Sequence, residues 1–340
     1  MLWPVLLRAE QDFFVVLQYH HVSNDAPAST SVRIEQFEQH LSYLADNGFH
    51  VLALDDALQA VQQGKPLPNF SVAITFDDSY RSIYEHAYPR LKQRGWPFTV
   101  FVNTAPMAEQ QPWAIRWEEL LEMQANGGLI ANHSVSHPHF PRREATDWKP
   151  WAREEIRQAG NTIQRHLGNR PTLFAWPYGE YNPMSQSLLQ ELELTGFGQH
   201  AGAVSRYEDF TALPRFAVNQ RYANLDTLAD KLRAKPMPVQ DIHPDNFVLS
   251  ADNRQPRLDV SMAEEAPPGG WQHALQCFVS GQGMVSPTWL NPNSFRLQAP
   301  ASLRPGRSRY TCTARDSDGR YFWFSRQWLL PNTDGTWPKE

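Results

Sequence analysis

The sequence predicts an α/β fold, either a parallel (β/α) barrel or a doubly wound sheet, followed by a small all-β unit of sandwich type. Three observations predict it. Strand-like and helix-like patterns alternate over about 230 residues, the signature of βαβ units and a parallel sheet. Several apolar runs stop abruptly at polar residues, the clearest being Val72-Ala73-Ile74-Thr75-Phe76 before Asp77-Asp78. Such a run reads as a buried strand that delivers acidic groups to the rim of a sheet. After about residue 240 the pattern changes to short β-rich runs separated by Pro, Ser, Asn and Gly. The division expected is 1–240 for the α/β unit and 241–340 for the β-rich unit.

The elements follow in order. Phe13 to Tyr19 reads as a buried strand ending in His20-His21. Apolar residues at 34, 37, 41 and 44 fit the helical period, and Gly48 stands where a helix C-cap belongs. His50 to Leu54 is a short strand, and Asp55 suits the N-cap of a helix from Asp56 to Gln63. After strand 71–76 comes a helical stretch from Ser82 to Arg94, which Pro89 should break or kink. Phe98 to Val102 is the next strand, Trp117 to Asn126 a helix, and Leu129 to Asn132 a strand running into His133-Ser134-Val135-Ser136-His137-Pro138-His139. A helix over Trp151 to Leu167 precedes a strand from Leu173 that ends in the turn Trp176-Pro177-Tyr178-Gly179. Met184 to Leu194 is helical, Gly196 to Gly198 starts another strand, and Leu213-Pro214-Arg215-Phe216 precedes one more. In the β-rich part the strands expected are 247–249, 274–279, 294–297, 309–314 and 321–328, with Arg315 to Gly319 as a hairpin loop.

Composition narrows the function. A formal charge of -5 and a pI near 6.2 provide no basic footprint for nucleic acid. No apolar run reaches the eighteen residues a transmembrane helix needs. Met1 to Leu7 is too short for a complete secretory h-region and reads as the remnant of an export signal or as a first strand. Cys277 and Cys312 pair if the protein is exported and otherwise stay as buried thiols. Twelve Trp residues serve mostly as core filler, with some left as flat platforms for the C–H faces of sugars.

The chemistry clusters at strand ends. Two imidazoles four residues apart, His133 and His137, can share a metal, and a carboxylate from another strand completes an N2O facial set with open positions. Adjacent aspartates repel unless a cation, a shared proton or solvent relieves them. Each fragment alone is commonplace, but their joint occurrence at successive strand ends points to a site.

Thr75-Phe76-Asp77-Asp78, His133-Ser134-Val135-Ser136-His137-Pro138 and Trp176-Pro177-Tyr178-Gly179 resemble the first three motifs of the polysaccharide deacetylases, the NodB-homology or carbohydrate esterase family 4 group. Tyr19-His20-His21-Val22 further resembles the circularly permuted branch that includes poly-N-acetylglucosamine deacetylases of biofilm systems. The resemblance covers roughly residues 12 to 235 and implies the distorted parallel (β/α) barrel of that family. It implies that Asp78, His133 and His137 hold a divalent metal, most often zinc, with nickel, cobalt or iron as alternatives. Asp77 is then the general base, the Tyr178 backbone N–H donates to the oxyanion, and His20 protonates the departing amine. Trp176, Pro177, Tyr178 and Arg215 line the substrate site.

Two departures stand out. Ser79 replaces the usual glycine after the Asp pair, and the third motif lacks the arginine that orients the base; Arg215 is either its replacement or a member of an ordinary surface salt bridge. His21 is a rival to His20, His243 is the acid if the chain is not permuted, and His139 reads as a loop residue packing near Phe140. The resulting expectation is a metal-dependent hydrolase that removes N-acetyl groups from an acetylated extracellular polysaccharide, in the periplasm or secreted. Peptidoglycan or chitooligosaccharide deacetylation, and a non-catalytic glycan-binding protein on the same scaffold, are the alternatives.

Overall fold

The computed structural model describes residues 10–143, 146–263, 267 and 269–339. Met1 to Leu7, with its two readings, lies outside them. An eight-stranded sheet organises the first two thirds of the chain. Its path runs Thr195–Phe197, Leu173–Ala175, Gly128–Asn132, Phe98–Val102, Ser71–Asp77, Val15–Tyr19 and Phe216–Ala217, with His50–Val51 paired beside Ser71–Asp77. Every strand pairing on that path is parallel. The segment 213–217 draws the two edges together, because Leu213 bridges to Phe197 while Phe216 pairs with Leu17. The result is the distorted (β/α) barrel.

Strand alternation sorts the core into two layers. Val15, Leu17 and Tyr19 pack with Phe37, Leu41 and Leu44 of the helix Ile34–Asp46. Phe14 and Val16 instead join Ala73, Phe101, Ala131, Ala175, Phe197 and Leu213 in a separate cluster filling the barrel. All seven residues of Ser71–Asp77 are buried, which explains why that stretch reads as an unbroken apolar run until chemistry intervenes. Fully burying one such large side chain contributes about 1.5–3 kcal/mol.

Several local expectations change. The helix after His50–Val51 spans Leu54–Gln62 with Ala53 as N-cap, so Asp55 and Asp56 sit in its first turn, where the helix dipole favours carboxylates. Pro89 lies in the first turn of Tyr88–Arg94, behind a π-helical turn at Ile83–Ala87. The wider turn accommodates a ring that would crowd a regular helix. The long helix starts at Trp148 rather than Trp151. Gly95 at φ 62° ends Tyr88–Arg94 in the left-handed conformation that glycine adopts without penalty.

The remaining chain forms two mainly antiparallel sheets. One runs Lys235–Pro236, Tyr321–Leu330, Gly306–Arg315, Leu275–Val279 and Gly283–Val285; the other runs Val239–His243, Arg257–Met262, Ser294–Gln298 and Thr288–Asn291. Leu258, Val260, Phe295 and Leu297 of one face Val279, Tyr310, Cys312 and Trp328 of the other in a single apolar cluster, making a sandwich. Cys277 and Cys312, opposite each other in neighbouring strands, form a disulfide. The run 247–249, expected as a strand, makes only an isolated bridge from Val248 to Leu329. Val239–His243, Arg257–Met262, Gly283–Val285 and Thr288–Asn291 escaped the sequence reading because polar residues interrupt their apolar pattern.

The sandwich is not detached from the barrel. Its apolar cluster also contains Phe140, Ile156, Phe174, Trp176 and Leu188 from the barrel side. The Ser325 hydroxyl bonds both to Ala201 N (2.6 Å) and to Ala201 O (3.0 Å), and Gln327 Nε2 donates to Gly179 O at 3.4 Å.

Candidate metal centre and active site

Three strand ends meet at the rim. Ser71–Asp77 delivers the Asp pair, Gly128–Asn132 leads into the histidine loop, and Leu173–Ala175 leads into Pro177-Tyr178-Gly179. The potential ligand atoms of Asp78, His133 and His137 all lie within 4.8 Å of one another. Asp78 Oδ1 is 3.5 Å from His133 Nε2 and 3.4 Å from His137 Nε2.

The tautomer of His133 follows from its neighbours. Its Nδ1 lies 2.8 Å from the Ala175 carbonyl, which can only accept, so Nδ1 carries the proton and Nε2 presents a lone pair. That Nε2 is buried without a hydrogen-bond partner, an arrangement that costs free energy unless something else fills it. Burial, and then the charge of His137, lowers His133 to about 4; burial first also lowers His137 to about 4. Both rings are therefore neutral at physiological pH, the form that ligates metal. An orphaned buried nitrogen, a second neutral imidazole and a carboxylate fit a divalent cation.

Asp77 is enclosed differently. Arg215 clamps it with two parallel bonds, Nη1 to Oδ1 and Nη2 to Oδ2, each 2.7 Å, and Gln18 Nε2 donates to Oδ2 at 2.5 Å. Burial alone would raise this carboxyl, but the Arg215 charge and hydrogen bonds, with His133, hold it well below the usual carboxylate range. Arg215 is itself fixed by the Gly198 carbonyl at 3.0 Å and by Thr75 Oγ1 at 3.3 Å. The arginine missing from the third motif thus has its counterpart here. Because Arg215 is 0% exposed, it is a positioning residue and not part of the substrate surface expected for it. Trp176 needs the same correction: its indole is wholly buried, with Nε1 donating to Thr211 O at 2.8 Å, so no substrate reaches it. Pro177 is buried too, leaving Tyr178 of that turn facing the cleft.

The backbone around these groups is strained. Of the seven non-glycine residues with positive φ among those described, four are Asp78 (67°), Ser134 (68°), His137 (57°) and Tyr178 (60°). Each costs roughly 1–2 kcal/mol for an L-residue and persists where the surroundings enforce it. Asn132 Oδ1 accepts from Ser134 N at 2.8 Å, and Glu155 Oε2 accepts from Val135 N (3.2 Å) and Ser136 N (3.0 Å), holding the histidine loop. Gly179 is irreplaceable by size, since an added Cβ would lie 2.5 Å from Gln199 Cβ. Ser79, the departure from the usual glycine, does not need left-handed backbone; its hydroxyl bonds the Asn103 carbonyl and side chain, each at 2.9 Å.

The other histidines separate by position. His20 lines a cleft of about 770 Å³ together with His137 and Tyr178. His21 stacks on Tyr80 at 3.5 Å, its Nδ1 is 3.2 Å from Ser82 Oγ, and burial followed by the charge of His20 lowers it to about 4. His139 does more than pack near Phe140: it stacks on Tyr178 at 3.7 Å and meets Glu180 at 2.9 Å. His243 ends an edge strand of the sandwich opposite Asp259 and is not among the residues lining the cleft. Gln18, Glu155 and Glu180 are supporting groups that sequence reasoning missed, because a lone amide or carboxylate does not reveal the partner it will find.

A parallel barrel with a carboxylate and two histidines gathered at the C-terminal ends of its strands defines a candidate metal-dependent hydrolase scaffold. Residues 64–197 match the polysaccharide deacetylase family model. It is 24% identical over 338 residues to the poly-beta-1,6-N-acetyl-D-glucosamine N-deacetylase of Escherichia coli, covering 84% of this chain and 50% of that protein. The chain thus spans about half the length of that relative. Among solved structures, IcaB from Ammonifex degensii superposes with a TM-score of 0.59 at 26% identity, covering 66% of this chain and 98% of that one. The Streptococcus pyogenes deacetylase PplD, in complex with acetate, shares the fold with a TM-score of 0.60 at 22% identity, covering 65% and 98%.

Proposed function

We propose that the protein is a metal-dependent de-N-acetylase that releases acetate from N-acetylhexosamine units of an extracellular polysaccharide of the poly-N-acetylglucosamine type. The observation that carries this reading is the N2O cluster of Asp78, His133 and His137 beside a second aspartate clamped by a buried arginine. Asp78, His133 and His137 would hold the cation, and zinc suits two imidazoles and a carboxylate. When bound, such a cation supplies Lewis-acid polarisation of the amide carbonyl and makes water more acidic.

The chain's own groups do the rest. Asp77, kept ionised and fixed in orientation by Arg215 and Gln18, accepts a proton from the attacking water. The Tyr178 backbone N–H donates to the oxyanion, with the turn around it braced by His139. His20 donates a proton to the nitrogen as the C–N bond breaks, so the sugar leaves as an amine and the acyl group as acetate. The Cys277–Cys312 disulfide supports an oxidising compartment, periplasmic or extracellular, in keeping with such a substrate.

Acetate release from β-1,6-linked N-acetylglucosamine oligomers, with and without a chelator, tests the reading. Chelator-sensitive release is expected, restored by zinc. Asp77→Asn should keep its metal and lose turnover by about 10²–10⁴-fold, the range of a general base. His133→Ala should lose both metal and activity, read by metal analysis of the purified protein. Wild-type rates in Asp77→Asn, or no chelator-sensitive release, would overturn the assignment.

A further inference from the structure

The cleft that begins at His137 and Tyr178 has its far wall in the sandwich. The strand Gly306–Arg315 alternates: Tyr310, Cys312 and Ala314 enter the sandwich core, so Arg307, Arg309 and Thr311 project from the opposite face, and all three line the cleft. Lys231, from the helix Leu225–Leu232, joins them. Among the described residues lining this cleft there is no Asp or Glu. Arg307 lies 3.5 Å from Glu180 and its guanidinium sits over the Tyr178 ring at 5.3 Å, which ties the wall to the catalytic turn. Arg309 and Lys231 have no carboxylate partner among the described residues; Lys231 lies over the ring of Tyr222 at 4.7 Å.

These cations are uncomfortable as they stand. Burial, and then the charge of Arg309, lowers Lys231; burial is also the first influence lowering Arg309, with Tyr222 opposing and Arg307 adding to it. Like charges in a partly dry cleft persist at a cost that a bound anion removes. Beside them Tyr222, 38% exposed, and Trp323 present flat apolar rings to the same space. Aromatic faces next to a guanidinium and an ammonium suit a sugar ring bearing a carboxylate, which arginine binds through a two-point fork.

We infer that this basic wall is a subsite for an anionic sugar, which narrows the proposed substrate from a neutral poly-N-acetylglucosamine to an N-acetylglucosamine polymer that also carries carboxylates, with a uronic-type residue against Arg309 and Lys231 while the neighbouring acetamido group reaches the metal cluster. A neutral polymer would leave both cations unpaired. The amine formed on deacetylation is a cation that the same wall repels, which favours product release. The inference rests on the de-N-acetylase reading for the reaction, whereas the binding it requires is measurable without turnover.

The experiment uses the full chain loaded with zinc and two oligosaccharide series of equal length, β-linked N-acetylglucosamine and N-acetylglucosamine alternating with glucuronic acid. Calorimetric affinity should be about tenfold or more higher for the acidic series at about 50 mM salt, and the difference should shrink as salt screens it. Arg309→Gln and Lys231→Gln should each weaken the acidic series by about tenfold and leave the neutral series unchanged, an internal control for folding. In turnover the loss should appear in KM rather than kcat. Equal affinity for the two series, or variants that weaken both alike, overturns the inference. Tighter binding of a phosphate-bearing oligomer than of its uronic counterpart overturns the carboxylate assignment. Salt-sensitive, variant-sensitive binding of the acidic series with no acetate released from either would uphold the wall and sink the de-N-acetylase reading.

Discussion

The two walls of the cleft are built on opposite principles. On the barrel side the polar groups are closed into hydrogen-bond sets. Asp77 is held by Arg215 and Gln18, His133 by Ala175, and the histidine loop by Glu155. Among the metal-facing groups there, His133 Nε2 keeps a buried lone pair without a hydrogen-bond partner. Across the cleft, Arg309 of the sandwich and Lys231 of the helix Leu225–Leu232 carry charge without an opposing carboxylate among the described residues, beside the rings of Tyr222 and Trp323. One wall is preorganised for chemistry and the other is left unsatisfied for recognition. Arg307, Arg309 and Thr311 of that second wall come from the sandwich strand Gly306–Arg315, so the β-rich region contributes to the cleft.

Removing one wall breaks the comparison most severely. A chain ending at residue 240 would expose Phe140, Trp176 and Leu188, which share an apolar cluster with the sandwich, and would free the Gly179 carbonyl from Gln327. The expected outcome is an aggregating or poorly folded product, read by sedimentation and circular dichroism. A monomeric fragment that still releases acetate would show that the sandwich is an accessory.

A change inside the barrel wall sharpens the contrast. Arg215→Met leaves Asp77 buried and unpaired, a loss expected at about 3–5 kcal/mol in denaturant unfolding. The double variant Arg215→Met with Asp77→Asn should recover part of that stability but none of the activity. If the single variant is as stable as wild type, the clamp is not what holds the aspartate.

The barrel wall was legible in the sequence for a chemical reason. Metal ligation demands particular residue types, and strand ends present them at fixed places, so His133 and His137 could be read from spacing, while the choice of Asp78 over Asp77 rested on the resemblance to the polysaccharide deacetylases. Arg215 was visible only as a candidate, since its partner lies 138 residues away in the chain. Trp176 was misread because an indole beside a functional turn looks the same from sequence whether it faces a sugar or the core; here Thr211 O takes its N–H inside. The sandwich wall was illegible for a different reason. Arg307, Arg309 and Thr311 show a period of two, but which face meets the cleft depends on how the sandwich docks, through contacts such as Ser325 with Ala201. Edge strands such as Thr288–Asn291, polar and exposed along most of their length, carry too weak a pattern to announce themselves.

The smallest expected effect concerns the seam between the walls, where His200 is buried against Tyr181, with its Nδ1 3.4 Å from the phenol oxygen. Burial first, and then the charges of Arg326, Arg309 and Arg215, hold this imidazole well below its ordinary value. Because the folded-state value is depressed, the unfolded chain takes up the proton first. The stability His200 contributes is therefore present above about pH 6.5 and is lost as pH falls below it. His40, also lowered by burial, although its bond to the Ala223 carbonyl opposes the shift, should add to the same slope. Thermal unfolding followed from pH 7.5 down to 5 should show a steady fall in Tm for the wild type. His200→Gln, which cannot titrate, should show a shallower fall even if its starting Tm is lower. Parallel slopes in the two proteins would mean that acid weakens the molecule elsewhere than at the seam between barrel and sandwich.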